Sequence, residues 1–466
     1  MPGSVALMSS TVAPTRKRGQ VFSWALWDWG TSAFSVLITT FVFARYIISD
    51  AFIDPKIVAD YEASGETGAA KVAYDAAVNG LANGLSASVW IGGIIIIFVA
   101  PILGQRADAM GRRRMWLGIN TGVVILATFG MFFIEPSQAF WIYGIVLYAT
   151  ANIFYEFANV NYNAMLLQVS TPKNVGSVSG FGWGMGYIGG IVVLVISLVG
   201  FALGDNHWFG IPNDGALNIR VIFVIAALWS LIFSIPVLTA VPEVSALPGA
   251  QRLSVAGSYR RLVRDIRALF RNDRQTFYFL LASAIYRDGL VAVFSLGAIL
   301  AGTVFGFGFE EILFFGIAAN LVGGIGVFLG GVIDNRVGPK PVIIGSLIGL
   351  IVAGLFVFIF NSGGPIVFWI GGLVLSLFVG PTQSASRSLL ARVSNNRNEG
   401  ELFGLYATTG RLVVWLSPLL FWILTTTLGA QYWGILAIVF VLLVGLVIMI
   451  PIKPRFTSDA ERNAQK

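Results

Sequence analysis

A chain of 466 residues that is 56% hydrophobic, 11% charged and of mean hydropathy +0.80 lies outside the range of water-soluble domains. Without cysteine it has no disulfide, thiolate nucleophile or cysteine metal site, and its single histidine, His207 beside Trp208, reads as an interfacial loop residue rather than a relay or metal ligand. The net charge of +7 has to be weighed by where the basic residues fall before an anionic partner is invoked.

In chain order, Arg16, Lys17 and Arg18 precede an apolar stretch over about 22–48. It has the outline of a signal peptide but is too long for an h-region and lacks a small-residue cleavage site, so it reads as a retained first helix. Further apolar runs follow near 85–103, 115–134, 139–168, 179–203 and 218–240, and then, after a polar break, near 276–305, 310–333, 341–360, 365–391, 402–428 and 431–450. Runs of this length cross a hydrocarbon core of about 30 Å as helices. They are too long for buried strands and lack the alternation of a membrane barrel. The expected fold is an all-α membrane protein with twelve transmembrane helices as two six-helix pseudo-repeats. Its parts are a tail at 1–21, a bundle at 22–240, a linker at 241–275, a second bundle at 276–450 and a tail at 451–466.

Of the 30 Lys and Arg, 23 fall in the tails, the linker and the loops of one face. The other face carries only Arg45, Lys56, Lys71 and Arg220, and its 49–84 loop holds six acids. The positive-inside rule then makes both termini cytoplasmic, in a bacterial inner membrane. Topology and anionic lipid head groups account for the charge, and no nucleic acid is required. In the linker, "YRRLVRDIRALF" sets Leu262, Ile266, Leu269 and Phe270 on one face and arginines on the other, which predicts an amphipathic helix on the membrane surface.

The two halves can be overlaid. "VSTPKNVGSVSGFGWGMGY" from Val169 and "VSNNRNEGELFGLYATTGR" from Val393 match at Val169/Val393, Ser170/Ser394, Gly180/Gly404 and Gly186/Gly410, all offset by 224. "GQRADAMGRRR" aligns with "GVIDNRVGPK" at an offset of 227, and "DWGTSAF" from Asp28 with "DGLVAVF" from Asp288 at 260. Three sites in order, with the 49–84 insertion explaining the larger offset, indicate a duplicated six-helix unit.

"GQRADAMGRRR" resembles the G-x-x-x-D-x-x-G-[RK]-x-[RK] signature of the major facilitator superfamily and falls between the second and third spans, where that family has it. "SWALWDWGTSAF", "YRDGLVAVF" and "SRSLLARVSNNRNEGELFGLY" further resemble its vacuole-effluxer-like branch of autophagy-related amino-acid exporters. The resemblance spans about Phe22 to Ile450. It implies a conformational gate at Gly104, Asp108, Gly111, Arg112 and Arg114, and amino-acid export. The glycines suit a tight turn and close helix approach, and Asp108 suits a helix cap that accepts bonds from the arginines. The second copy departs from the signature, with Asn335 in the aspartate register and Asp334 one residue early.

Charges inside the spans are costly in lipid, about 2.5 to 3.5 kcal/mol each near mid-bilayer, and so face cavities and pair. Asp28, Glu156, Arg287, Asp288, Arg387 and Arg411 are of this kind. In the fourth span Asn152, Tyr155, Glu156, Asn159 and Asn163 fall on one stripe, and the 224 offset sets Asn163 opposite Arg387, with Gln383 one turn before. Trp27 and Trp183 supply aromatic walls. These thirteen residues are the candidate substrate or coupling site, with Asp28 or Glu156 either the group that carries a proton or half of a static ion pair. The mixture suits a small polar or zwitterionic solute. No nucleotide motif, cofactor or metal site is seen, so a proton gradient would drive any uphill transport by what reads as a monomer. Two alternatives are a proton-coupled exporter of organic cations and a non-transporting sensor on the same fold. A membrane enzyme is not indicated, because no nucleophile is paired with a base.

Overall fold

The computed structural model describes residues 18–171, 173–203, 207–243, 255–394, 399–454 and 456. The N-terminal basic cluster at 16–17, part of the second repeat segment at 395–398, most of the C-terminal tail and the Asp108 side chain lie outside the described residues. Among the described residues the secondary structure is entirely helical.

Helix α1, Arg18–Ala33, runs on through a π-helical turn, Phe34–Phe41, into a short helix, Phe43–Tyr46. Then follow α2, Gly68–Met110; α3, Arg113–Gly130; α4, Trp141–Ala164; α5, Val175–Ser197; and α6, Leu217–Ala240. Helix α7, Val255–Asn272, lies between the halves. The second half has α8, Arg274–Thr303; α9, Phe309–Val337; α10, Pro339–Ile359; α11, Pro365–Val393; α12, Glu399–Val413; α13, Leu416–Leu428; and α14, Gly434–Met449.

Among the described residues ten helical stretches are long and apolar enough to cross a membrane. The two other expected spans are helical but fail that standard for visible reasons: the first is interrupted by the π-helical turn, and α4 is diluted by its own polar stripe.

Two expectations need correction. The 49–84 segment is not a loop: α2 begins at Gly68, so its 43 residues span about 65 Å at 1.5 Å per residue. Its first turns pack on a helix at Pro55–Ala63, started by Pro55 at the first position and by the Asp54 carboxylate accepting from Lys56 N at 2.9 Å. Tyr61 stacks on Tyr74 there at 4.1 Å. The eleventh span, expected unbroken over 402–428, divides at Val414–Trp415. Pro418 has no N–H for the Val414 carbonyl and its ring crowds that group, which breaks the ladder at this turn.

The two halves meet chiefly through α2 against α12 and α5 against α9, and these seams repeat each other. A Cβ on Gly404 would lie 2.8 Å from the Ala100 carbonyl oxygen, and one on Gly180 would lie 2.8 Å from that of Val327. Gly104 likewise abuts the Gly400 carbonyl, as Gly331 abuts that of Gly176. Every pair is related by the 224 and 227 offsets, so the duplication is built into the packing. In the linker helix Leu262 is buried, Ile266 and Leu269 are half-buried and Arg260, Arg264, Arg267 and Arg271 face out, while Tyr259 donates to the Phe98 carbonyl of α2 at 3.0 Å. Phe270, expected on the buried face, is exposed and instead meets Phe277 edge-on, because the chain turns into α8 there.

Candidate functional site

Between the halves lies a cavity of about 350 Å³, walled by α1, α4 and α5 on one side and by α8, α9, α11 and α12 on the other. Nine of the thirteen sequence candidates line it: Asp28, Tyr155, Glu156, Asn159, Asn163, Trp183, Arg287, Gln383 and Arg387. Helical spacing on α4 is what presents Glu156, Asn159 and Asn163 together, since residues three or four apart share a face.

The centre of the site is the buried guanidinium of Arg387 on α11. Its Nη1 donates to Asn163 Oδ1 at 3.0 Å and lies 3.6 Å from Asp28 Oδ2. Nε donates to Ser179 Oγ at 3.0 Å and Nη2 to the Ser179 carbonyl at 2.6 Å. Tyr162 donates to Asp28 Oδ2 at 2.8 Å, and the ring of Trp24 lies 5.1 Å from the guanidinium carbon. Residues of α1, α4 and α5 thus converge on one arginine from the opposite half, a charge-assisted network that compensates burial of both charges. A second cross-half pair joins Arg411 of α12 to Glu156 of α4, each about a quarter exposed. Arg287 of α8 spans to α12, where its Nη1 donates to the Tyr406 carbonyl at 2.9 Å and its guanidinium carbon sits 3.9 Å from the centre of that ring.

Four candidates do not line the cavity. Trp27 is fully buried, donates Nε1–H to Thr121 Oγ1 at 3.0 Å and stacks on Tyr162 at 4.3 Å, so it packs behind the site. Asn152 donates to the Tyr148 carbonyl of its own helix at 3.0 Å. Arg411 reaches the cavity only through Glu156. Asp288 is buried and accepts the Ser417 N–H at 2.7 Å, filling the need created where Pro418 breaks the eleventh span. The repeat that equates it with Asp28 holds in register but not in surroundings.

Other lining residues carry a weaker signal in the sequence. Ser32 and Ser35 follow Asp28 at i+4 and i+7, so spacing alone would have found them. Asn320 is a lone amide in an apolar run, and Tyr406 lies one turn before Gly410. Ser35 sits in the π-helical turn, where its carbonyl accepts the Thr40 hydroxyl at 2.8 Å.

At the end bearing the 104–114 turn the two halves are held together by the seams described above. Gly111 adopts φ +64°, the left-handed region that glycine enters without strain. Arg112 precedes α3, and Arg114 donates Nη1–H to the Val241 carbonyl at 3.1 Å and lies 3.7 Å from Glu243. The buried arginine is instead Arg113, a variable position of the motif: it pairs with Glu399 across the halves and donates to the Ala164 carbonyl at 3.1 Å. In the other seam Asn335 Oδ1 accepts the Ser177 N–H at 3.2 Å at the start of α5, while the buried Asp334, one residue earlier, pairs with Arg392 of α11 at 2.7 Å, so the second copy keeps a charged contact beside the amide. Among the described residues no cluster of three His, Asp or Glu could hold a metal ion.

The family described as vacuole effluxer Atg22 like matches residues 167–455 of this chain. The chain belongs to that family. Over 441 residues it is 26% identical to the uncharacterized MFS-type transporter YxiO of Bacillus subtilis (strain 168), covering 94% of this chain and 96% of that protein. Its fold is similar to the proton:xylose symporter XylE, with TM-score 0.67, 13% identity and coverage of 93% and 94%. It is similar too to the E. coli fucose:proton symporter FucP, with TM-score 0.66, 14% identity and coverage of 94% and 98%. The vacuole effluxer-like chain is therefore an integral membrane protein of the major facilitator fold and a transporter rather than an enzyme.

Proposed function

We propose that this protein is a secondary active transporter that exports a small polar or zwitterionic, amino-acid-like solute by alternating access. The observation that carries the reading is a cavity whose charged groups come from both halves, beside close-packed, repeat-related seams that would close one end of it. The halves, 22–240 and 276–450, rock about this site, joined by the linker at 241–275, with the tails at 1–21 and 451–466 both cytoplasmic. Ion pairs that cross the halves, Asp28 with Arg387 and Glu156 with Arg411, would have to break or exchange partners when the seams open. Protonation of a carboxylate freed from its arginine would couple occupancy to conformation. XylE and FucP are named as proton symporters, which supports protons as the driving ion. The family description supports the effluxer direction.

The test is counterflow and uptake of a broad metabolite panel in proteoliposomes holding the full chain under an imposed pH gradient. Movement of an amino-acid-like solute that collapses with the gradient is the expected result. Failure of every solute to move would refute transport, and normal flux by Glu156→Gln and Asp28→Asn at all pH values would refute coupling through these residues.

A further inference from the structure

The cavity does not balance its own charge. Arg287, Arg387 and Arg411 stand against two carboxylates, Asp28 and Glu156, so with both acids ionised one positive charge remains. Geometry identifies which arginine is left over. Arg387 lies 3.6 Å from Asp28, and Arg411 bonds Glu156. Among the described residues no carboxylate comes within 4.0 Å of Arg287. Asp288, its neighbour in sequence, is turned away to Ser417.

Arg287 is also held in place. Tyr406 supplies a carbonyl acceptor and a ring face, and Gly410 leaves the slot that the guanidinium fills: a Cβ there would sit 3.2 Å from Nη1. With Nη1 on the Tyr406 carbonyl, its other N–H donors have no protein acceptor among the described residues. A half-buried cation without a counter-anion is unfavourable until a ligand brings one, and a planar fork of donors matches a carboxylate in two bonds. Beside the charged cavity lies a second of about 410 Å³, sharing Ser35, Val36, Tyr187 and Asn320 with it and walled by side chains such as Phe294, Phe315, Phe368 and Leu375. It offers room for an apolar body adjoining the polar head.

We infer that Arg287 anchors the carboxylate of a solute that also carries an apolar group, the acid in the charged cavity and the apolar group in the second. This deepens the transport reading and rests on it for the direction of use, though not for binding. An organic cation would instead add to the surplus positive charge.

The probes are isocaproate, its neutral amide isocaproamide and the cation isoamylamine, titrated into the purified full-length protein and followed by calorimetry and by tryptophan fluorescence, since Trp183 lines the cavity. Isocaproate should bind saturably, and the amide and amine about tenfold or more weaker. Arg287→Gln should weaken isocaproate about 10- to 100-fold, the loss of charge-assisted bonds. Arg287→Lys should fall between, keeping charge but not the fork. The acid-against-amide comparison needs no variant and stands even where a substitution fails to fold. Equal binding of amide or amine, unchanged affinity in Arg287→Gln, or no binding of isocaproate would each overturn the inference. Arg287-dependent binding with no flux of any solute would sink the transport reading while leaving this site intact. Flux of an amine together with no acid binding would do the reverse.

Discussion

Replacing Gly404 by alanine puts one methyl group into the seam between α12 and α2. That Cβ would lie 2.7 Å from Pro101 Cα and 2.8 Å from the Ala100 carbonyl oxygen, both backbone atoms that no rotamer change can move. Ordinary contact begins at 3.4 Å, so the helices must separate by about 0.6 Å or the closure must fail. Overpacking of this kind costs about 1–3 kcal/mol. The penalty falls on the sealed arrangement and vanishes once the halves part at this end, so the ratio of the two states should shift about 5- to 150-fold. Gly180→Ala makes the same test in the α5/α9 seam, 2.8 Å from the Val327 carbonyl. The chain has no cysteine of its own. A single cysteine at Gln383 therefore reports accessibility cleanly to an impermeant maleimide applied to either side of the membrane. Labelling should rise from the side of the 104–114 turn and fall from the other. Gly122→Ala is the control, because a Cβ there meets nothing within 4 Å. Unchanged labelling from both sides in Gly404→Ala and Gly180→Ala would refute the claim that these seams close the cavity.

Arg113→Ala, which leaves Glu399 buried without this partner, should lower stability by about 3–5 kcal/mol in thermal unfolding, and the double variant Arg113→Met/Glu399→Leu should recover most of it. Asp28→Asn should cut proton-driven flux more than about tenfold, whereas Asp288→Asn should transport near normally because an amide oxygen can still accept the Ser417 N–H. Equal loss in both would mean that Asp288 does more than cap a helix break. Trp27→Phe should cost about 1 kcal/mol through the lost bond to Thr121 and leave the solute KM unchanged, since Trp27 packs behind the cavity. A change in KM with no change in melting temperature would reverse that assignment.

Much of the site was legible because lipid imposes a severe filter. A charged or amide group in an apolar run needs an internal partner, which marks Asp28, Glu156, Arg287 and Arg387 from the sequence. The repeat offset set Asn163 across from Arg387, and the two are 3.0 Å apart. Spacing failed where the surroundings decide. Asp288 shares a register with Asp28, yet Pro418 on a distant helix turns it into a backbone cap. Arg113 was hidden in a variable position of a motif because its partner, Glu399, lies 286 residues away.

The sequence by itself determined the helical membrane class, the duplication and the set of polar residues with no lipid-facing excuse, because these follow from hydrophobic length, period and the cost of charge in lipid. Only the tertiary structure decided which of those residues share a cavity, which pair across the halves and which arginine is left without a carboxylate. Those outcomes depend on helix rotation and on single close approaches, such as Gly410 under Arg287 and Gly404 against Ala100, that one-dimensional spacing does not encode.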